Sequence, residues 1–131
     1  MTTPPFQTRS ISVEPDTLAP DGSEIRLLST LPGMSLVHCS LPPGEVSTAV
    51  RHRTVGELWY FLSGEGEVWR SNGQHETVTS VRGGVSLSIP LGTTFQFRST
   101  GPEPLCLVIA TAPAWPGPDE AIPCAGKWRP A

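Results

Sequence analysis

His52 and Glu57 stand five residues apart, just ahead of a strand-like aromatic run. An imidazole that titrates near neutral pH, held near a carboxyl group and away from bulk water, is the minimum for proton transfer, with one group as acid and the other as base. The bland alternative is a hydrogen-bonded pair that only satisfies two buried polar groups. Keeping such a pair dry is costly without a role, which favours a functional pair that makes His52 and Glu57 the candidate catalytic residues. Around them, Val50, Trp59, Phe61, Phe95 and Phe97 are the candidate ligand-binding residues. These side chains would either line a cavity for a small organic molecule or fill a small barrel with its own aromatics.

The elements that must position these residues are short strands punctuated by glycine and proline. Residues 1–20 read as an arm with one alternating piece, Ser10 to Val13, suited to an edge strand. Strands are predicted at Glu24 to Leu28, Met34 to Leu41, Ser47 to Arg53 and Glu57 to Leu62, with Ser63-Gly64-Glu65-Gly66 as a tight hairpin turn into Glu67 to Arg70. Asn72-Gly73 is the strongest hairpin signal, followed by strands at His75 to Val81, Val85 to Ile89, Phe95 to Arg98 and Leu105 to Ala110. About nine strands at that spacing predict an all-β antiparallel sandwich or barrel over 21–112. Residues 113–131 are rich in Pro and Trp, predict no regular strand, and are expected to pack on the barrel or a neighbouring subunit.

Composition narrows the function classes. With Pro 15 and Gly 13 in 131 residues, turns are frequent, while 37% hydrophobic content still suffices for one core. A net charge of −3 and scattered arginines argue against nucleic acid as a partner. There is no leader-like N-terminus and no run of 18 apolar residues, so no membrane association is expected and the cytoplasm is the expected location. Cys39, Cys106 and Cys124 form neither a disulfide framework nor a zinc knuckle, and Cys39 and Cys106 are expected to be reduced core thiols.

Two stretches together resemble the cupin superfamily. In the first, Gly44 opens the motif, Val50 stands where a first histidine belongs, His52 takes the second histidine position, Glu57 the glutamate, and Gly64 closes it. In the second, Gly84, Pro90 and Gly92 are in register, while Phe95 replaces a histidine and Ser99 an asparagine. The resemblance implies a cupin-type double-stranded β-helix, or jelly-roll barrel, in which three histidines and the glutamate hold one divalent metal. Here two of the four ligand positions are apolar, so His52 and Glu57 alone are expected to hold a metal weakly or not at all. A third ligand would have to come from His38 or from Gln96. Against both, Val37, Cys39 and Leu41 read as the core face beside His38, and Phe95 and Phe97 as the core face beside Gln96.

The expectation is therefore a cupin-like protein that binds a small organic ligand, with no cofactor or a weakly bound divalent metal. One competitor is a metal-dependent enzyme, a sugar isomerase or epimerase or a dioxygenase with an unconventional third ligand. The other is a structural dimer with a filled barrel. A homodimer is expected in any case, from the arm and from tryptophans that a lone barrel would cover poorly.

Overall fold

The computed structural model describes residues 5–130. Its strands are β1 (Thr17–Leu18), β2 (Glu24–Leu31), β3 (Met34–Leu41), β4 (Val50–His52), β5 (Gly56–Ser63), β6 (Glu65–Ser71), β7 (Glu76–Arg82), β8 (Ser86–Ile89), β9 (Thr94–Ser99), β10 (Leu105–Ala112) and β11 (Ala121–Pro123). The only helical piece among the described residues is a single 3-10 turn, Pro118–Glu120. All pairings are antiparallel, in one sheet ordered β1-β2-β3-β10-β5-β8 and a second ordered β11-β4-β9-β6-β7.

Consecutive strands mostly change sheet, which makes this a jelly roll rather than a meander. Within-sheet hairpins join β2 to β3 and β6 to β7, the latter through Asn72-Gly73, where Asn72 Oδ1 accepts from the amides of Gln74 and His75 at 2.9 and 2.8 Å. The expected hairpin at Gly64 is corrected: β5 pairs with β10 and β8, β6 with β7 and β9, so Gly64 carries the chain from one sheet to the other. Gly64 has φ +83°, and a side chain there would run into the Pro104 carbonyl, with Leu105 Cα only 2.8 Å from a Cβ. Such a close, left-handed crossing is open only to glycine.

The ends also differ from expectation. The edge strand of the arm is Thr17–Leu18 rather than Ser10 to Val13, whose neighbourhood is held instead by Arg26 donating to the carbonyls of Ser12 and Val13 at 2.9 Å each. In the tail, Ala121–Pro123 does form a strand, on β4, and an edge position tolerates its proline.

Alternation places Cys39 and Leu41, Val50, Trp59 and Phe61, Phe95 and Phe97, and Leu105 and Leu107 in one buried cluster between the sheets. Trp59 meets Phe61, Phe95 and Phe97 edge-on at centroid distances of 6.1, 5.4 and 5.1 Å. Cys106, expected in the core, is half-buried on the other face of β10, because Leu105 and Leu107 take the inward positions.

Candidate functional site

Three strands bring the candidate residues together. β4 turns Val50 and His52 inward and leaves Arg51 exposed; β5 turns Glu57, Trp59 and Phe61 inward; β9 turns Phe95 and Phe97 inward. Val50 and Phe95 are direct cross-strand partners, so the two apolar positions face one another.

His52 and Glu57 meet at the end of this aromatic core, each side chain 6% exposed. Glu57 Oε1 accepts from Trp59 Nε1 at 2.9 Å, which orients the carboxyl group and leaves Oε2 toward His52 Nδ1, 4.0 Å away. That nitrogen is buried and has no hydrogen-bond partner. The imidazole is wedged edge-on between Phe95 and Trp115, at centroid distances of 5.2 and 5.1 Å.

The electrostatics follow from burial. Burial raises Glu57 to about 7 against the hydrogen bond from Trp59, with the nearby charges of Asp21 and Glu120 adding to the rise. Burial lowers His52, partly offset by the Glu120 carboxylate and a backbone hydrogen bond at Val55. Burial thus favours the neutral form of both groups, and their proximity is not an ion pair.

The donor set does not fit a metal ion. His38, on β3, alternates with the inward Val37 and Cys39 and pairs across the outer face with Arg26 and Val108, so it is corrected as a third ligand. Gln96 is corrected likewise: it lies on the face of β9 opposite Phe95 and Phe97, its Nε2 donating to the carbonyls of Ser47 and Trp128 at 2.9 and 2.7 Å, its Oε1 accepting from the Trp128 amide at 2.9 Å. Among the described residues no three His, Cys, Asp or Glu side chains gather around one point. Two donors, one of them a carboxyl group that burial makes reluctant to ionise, are too few for a mononuclear site.

What the geometry offers instead is a cavity of about 500 Å3, lined by Val50, His52, Glu57, Trp59 and Phe95 together with the arm, β2 and the tail. Phe61 and Phe97, two further candidate ligand residues, lie beyond that lining in the filled part of the core. Three further groups in or near the cavity are not among the site residues the sequence singles out. Asp21 lines the cavity, its Oδ1 fixed by the Ser23 amide and hydroxyl at 3.0 and 2.6 Å, and burial raises its pKa against those bonds. Trp115 comes in from the tail, its amide donating to Ser35 Oγ at 3.1 Å. Glu120, 4% exposed, accepts from the Thr54 amide and hydroxyl at 2.6 Å each and from the Val55 amide at 3.0 Å. Burial alone would push its pKa up, but these hydrogen bonds prevail and hold it low. Asp21 reads in sequence as a turn residue in Pro20-Asp21-Gly22, and the only signal for Trp115 was the cost of leaving a tryptophan in water.

A family model described as Cupin domain matches residues 37–111. No curated protein matches the chain. Among solved structures, a protein of Bacillus halodurans is 25% identical with a TM-score of 0.65 over 78% of this chain and 76% of that one. An uncharacterized conserved protein with a double-stranded β-helix domain from Klebsiella pneumoniae is 21% identical, TM-score 0.66, over 91% of each chain. The capsular polysaccharide assembling protein CapF of Staphylococcus aureus is 16% identical, TM-score 0.70, over 86% of this chain but only 33% of its own.

Proposed function

Because the chain belongs to the Cupin domain family, whose fold serves many unrelated functions, we propose a function from the site: the barrel binds a small organic ligand without a metal. The observation that carries this reading is the cavity of about 500 Å3 that ends on the unpartnered His52 Nδ1 and on Glu57. Pockets for small molecules are of this size, mostly apolar, with a few polar groups that fix orientation. A ligand hydroxyl, amide or amine seated beside this pair, whose atoms lie 4.0 Å apart, would reach both His52 Nδ1 and Glu57 Oε2, while Trp59, Phe95 and Trp115 cover its apolar part. Quenching of tryptophan fluorescence by small aromatic or alicyclic compounds, unchanged by EDTA, is the expected result; binding that disappears on chelation would overturn the reading.

The metal-dependent alternative loses support with His38 and Gln96, which lie on outer faces. A filled barrel would leave the cavity without a purpose.

For assembly, we propose a homodimer in which a second copy covers the outer face of the first sheet, where Leu36, Leu58, Tyr60 and Leu62 are exposed. The tryptophans no longer argue for it, since Trp59 and Trp69 are buried and Trp115 packs on the core. Light scattering at micromolar concentration checks this, and a monomer would overturn it. Among the described residues no helix is long and apolar enough to cross a membrane. The three free cysteines are in keeping with a reducing compartment such as the cytoplasm.

A further inference from the structure

Carboxyl groups dominate the inner end of the cavity. Asp21 and Glu57 line it, and the Glu120 carboxylate acts on both His52 and Glu57. The one permanently cationic side chain among the lining residues is Arg9, exposed on the arm at the rim. Arg26 cannot answer the inner carboxyl groups, because its guanidinium is committed to the Ser12 and Val13 carbonyls on the outer face. Alongside the carboxyl groups stand the aromatic rings of Trp59, Phe95 and Trp115. A second, independent feature points to a missing donor or acceptor: His52 Nδ1, on a side chain only 6% exposed, has no partner.

Resting on the ligand-binding reading above, we propose that the cavity selects an organic ammonium ion: a primary or secondary amine on an aromatic or alicyclic body. The ammonium group would sit between Asp21 and Glu57, its positive charge offsetting the cost of ionising these buried carboxyl groups and its N–H groups donating to them, with His52 Nδ1 accepting a further N–H. Its carbon-bound hydrogens would meet the faces or edges of Trp59 and Trp115, where cations are attracted by the ring quadrupole. An anionic ligand would find no permanent cation in the interior and could reach only Arg9. An uncharged alcohol of the same shape would keep the apolar contacts but lose the charge-assisted hydrogen bonds.

The test compares three probes with the same phenylethyl body, 2-phenylethylammonium, 2-phenylethanol and 3-phenylpropionate, by calorimetry and tryptophan quenching at fixed pH and salt. The ammonium ion is expected to bind about tenfold or more tightly than the alcohol, with the carboxylate weakest. Asp21→Asn, whose side-chain oxygen can still accept from Ser23, and Glu57→Gln, whose oxygen can still accept from Trp59, are each expected to collapse the ammonium-to-alcohol ratio toward one. Either variant suffices should the other fail to fold. An alcohol that binds as tightly as the ammonium ion, or a ratio untouched by both substitutions, would overturn the inference while leaving the ligand-binding function standing. A carboxylate that binds tightest would overturn it in favour of Arg9. Failure of all three probes at millimolar concentration would sink both.

Discussion

Phe95 sets its ring edge-on against the imidazole of His52, centroids 5.2 Å apart, at the position where the cupin resemblance places a metal-ligating histidine. The contact replaces a lone pair with a C–H edge, and Val50, paired directly across from Phe95, does the same on the neighbouring strand. The wild-type protein dialysed against Zn2+ or Mn2+ should therefore retain far less than one equivalent by elemental analysis. The double substitution Val50→His and Phe95→His should restore uptake toward about one equivalent, because the backbone already holds both positions inward beside His52 and Glu57. Stoichiometric metal on the wild-type chain would contradict the two-donor reading.

Glu57 gives the fold a pH dependence. Its carboxyl group has a folded pKa of about 7 against an ordinary value of 4.5, so the folded state holds the proton more tightly than the unfolded one. The stability this group contributes is fully present below the unfolded value and is lost as pH rises through the folded one. Glu57→Gln should therefore match wild type near pH 4 and be more stable above pH 7, by up to about 3 kcal/mol. Urea unfolding at the two pH values checks this, and a variant less stable than wild type at high pH would show that ionised Glu57 has a partner inside the barrel.

The parts of this site that follow a two-residue period were readable from sequence. Phe95 and Phe97 alternate with Gln96 and Arg98, and the structure buries the first pair in the core while the second pair meets Trp128 of the tail. Alternation fixes which side a residue faces within a strand, because successive side chains point to opposite faces. It cannot tell which sheet the next strand joins, which is why Gly64 reads as a hairpin and is a crossover. Nor does local pattern reveal burial conferred by distant chain. Asp21 sits in a polar turn and Glu120 in a proline-rich tail, and only tertiary contacts bring Asp21 to the cavity and bury Glu120.

The crossover itself is testable by comparing two glycines of similar backbone conformation. Gly64 and Gly73 have φ of +83° and +90°, but only at Gly64 would a Cβ meet neighbouring backbone. Gly73→Ala should cost only the left-handed strain, about 1–2 kcal/mol. Gly64→Ala adds displacement of the Pro104–Leu105 backbone and should cost clearly more, read as a lower urea midpoint. Equal costs would mean that the crossover relaxes freely.

Glu120 pins the tail beneath the loop between β4 and β5, its carboxylate taking the Thr54 and Val55 amides and the Thr54 hydroxyl. Glu120→Ala would strip the acceptor from both amides, with Val55 fully buried, and should cost about 1–3 kcal/mol. The same change should loosen the segment that carries Trp115 into the cavity, seen as faster hydrogen exchange at Thr54 and Val55 and a red-shifted tryptophan emission. Because the hydrogen bonds hold the folded pKa of Glu120 below its usual value, its contribution is present above that value and fades as pH falls through the folded one. The stability gap between wild type and Glu120→Ala should accordingly narrow in acid, and a gap that stays constant from pH 7 to strongly acidic conditions would show that packing of the glutamate stem, rather than its charge, holds the tail.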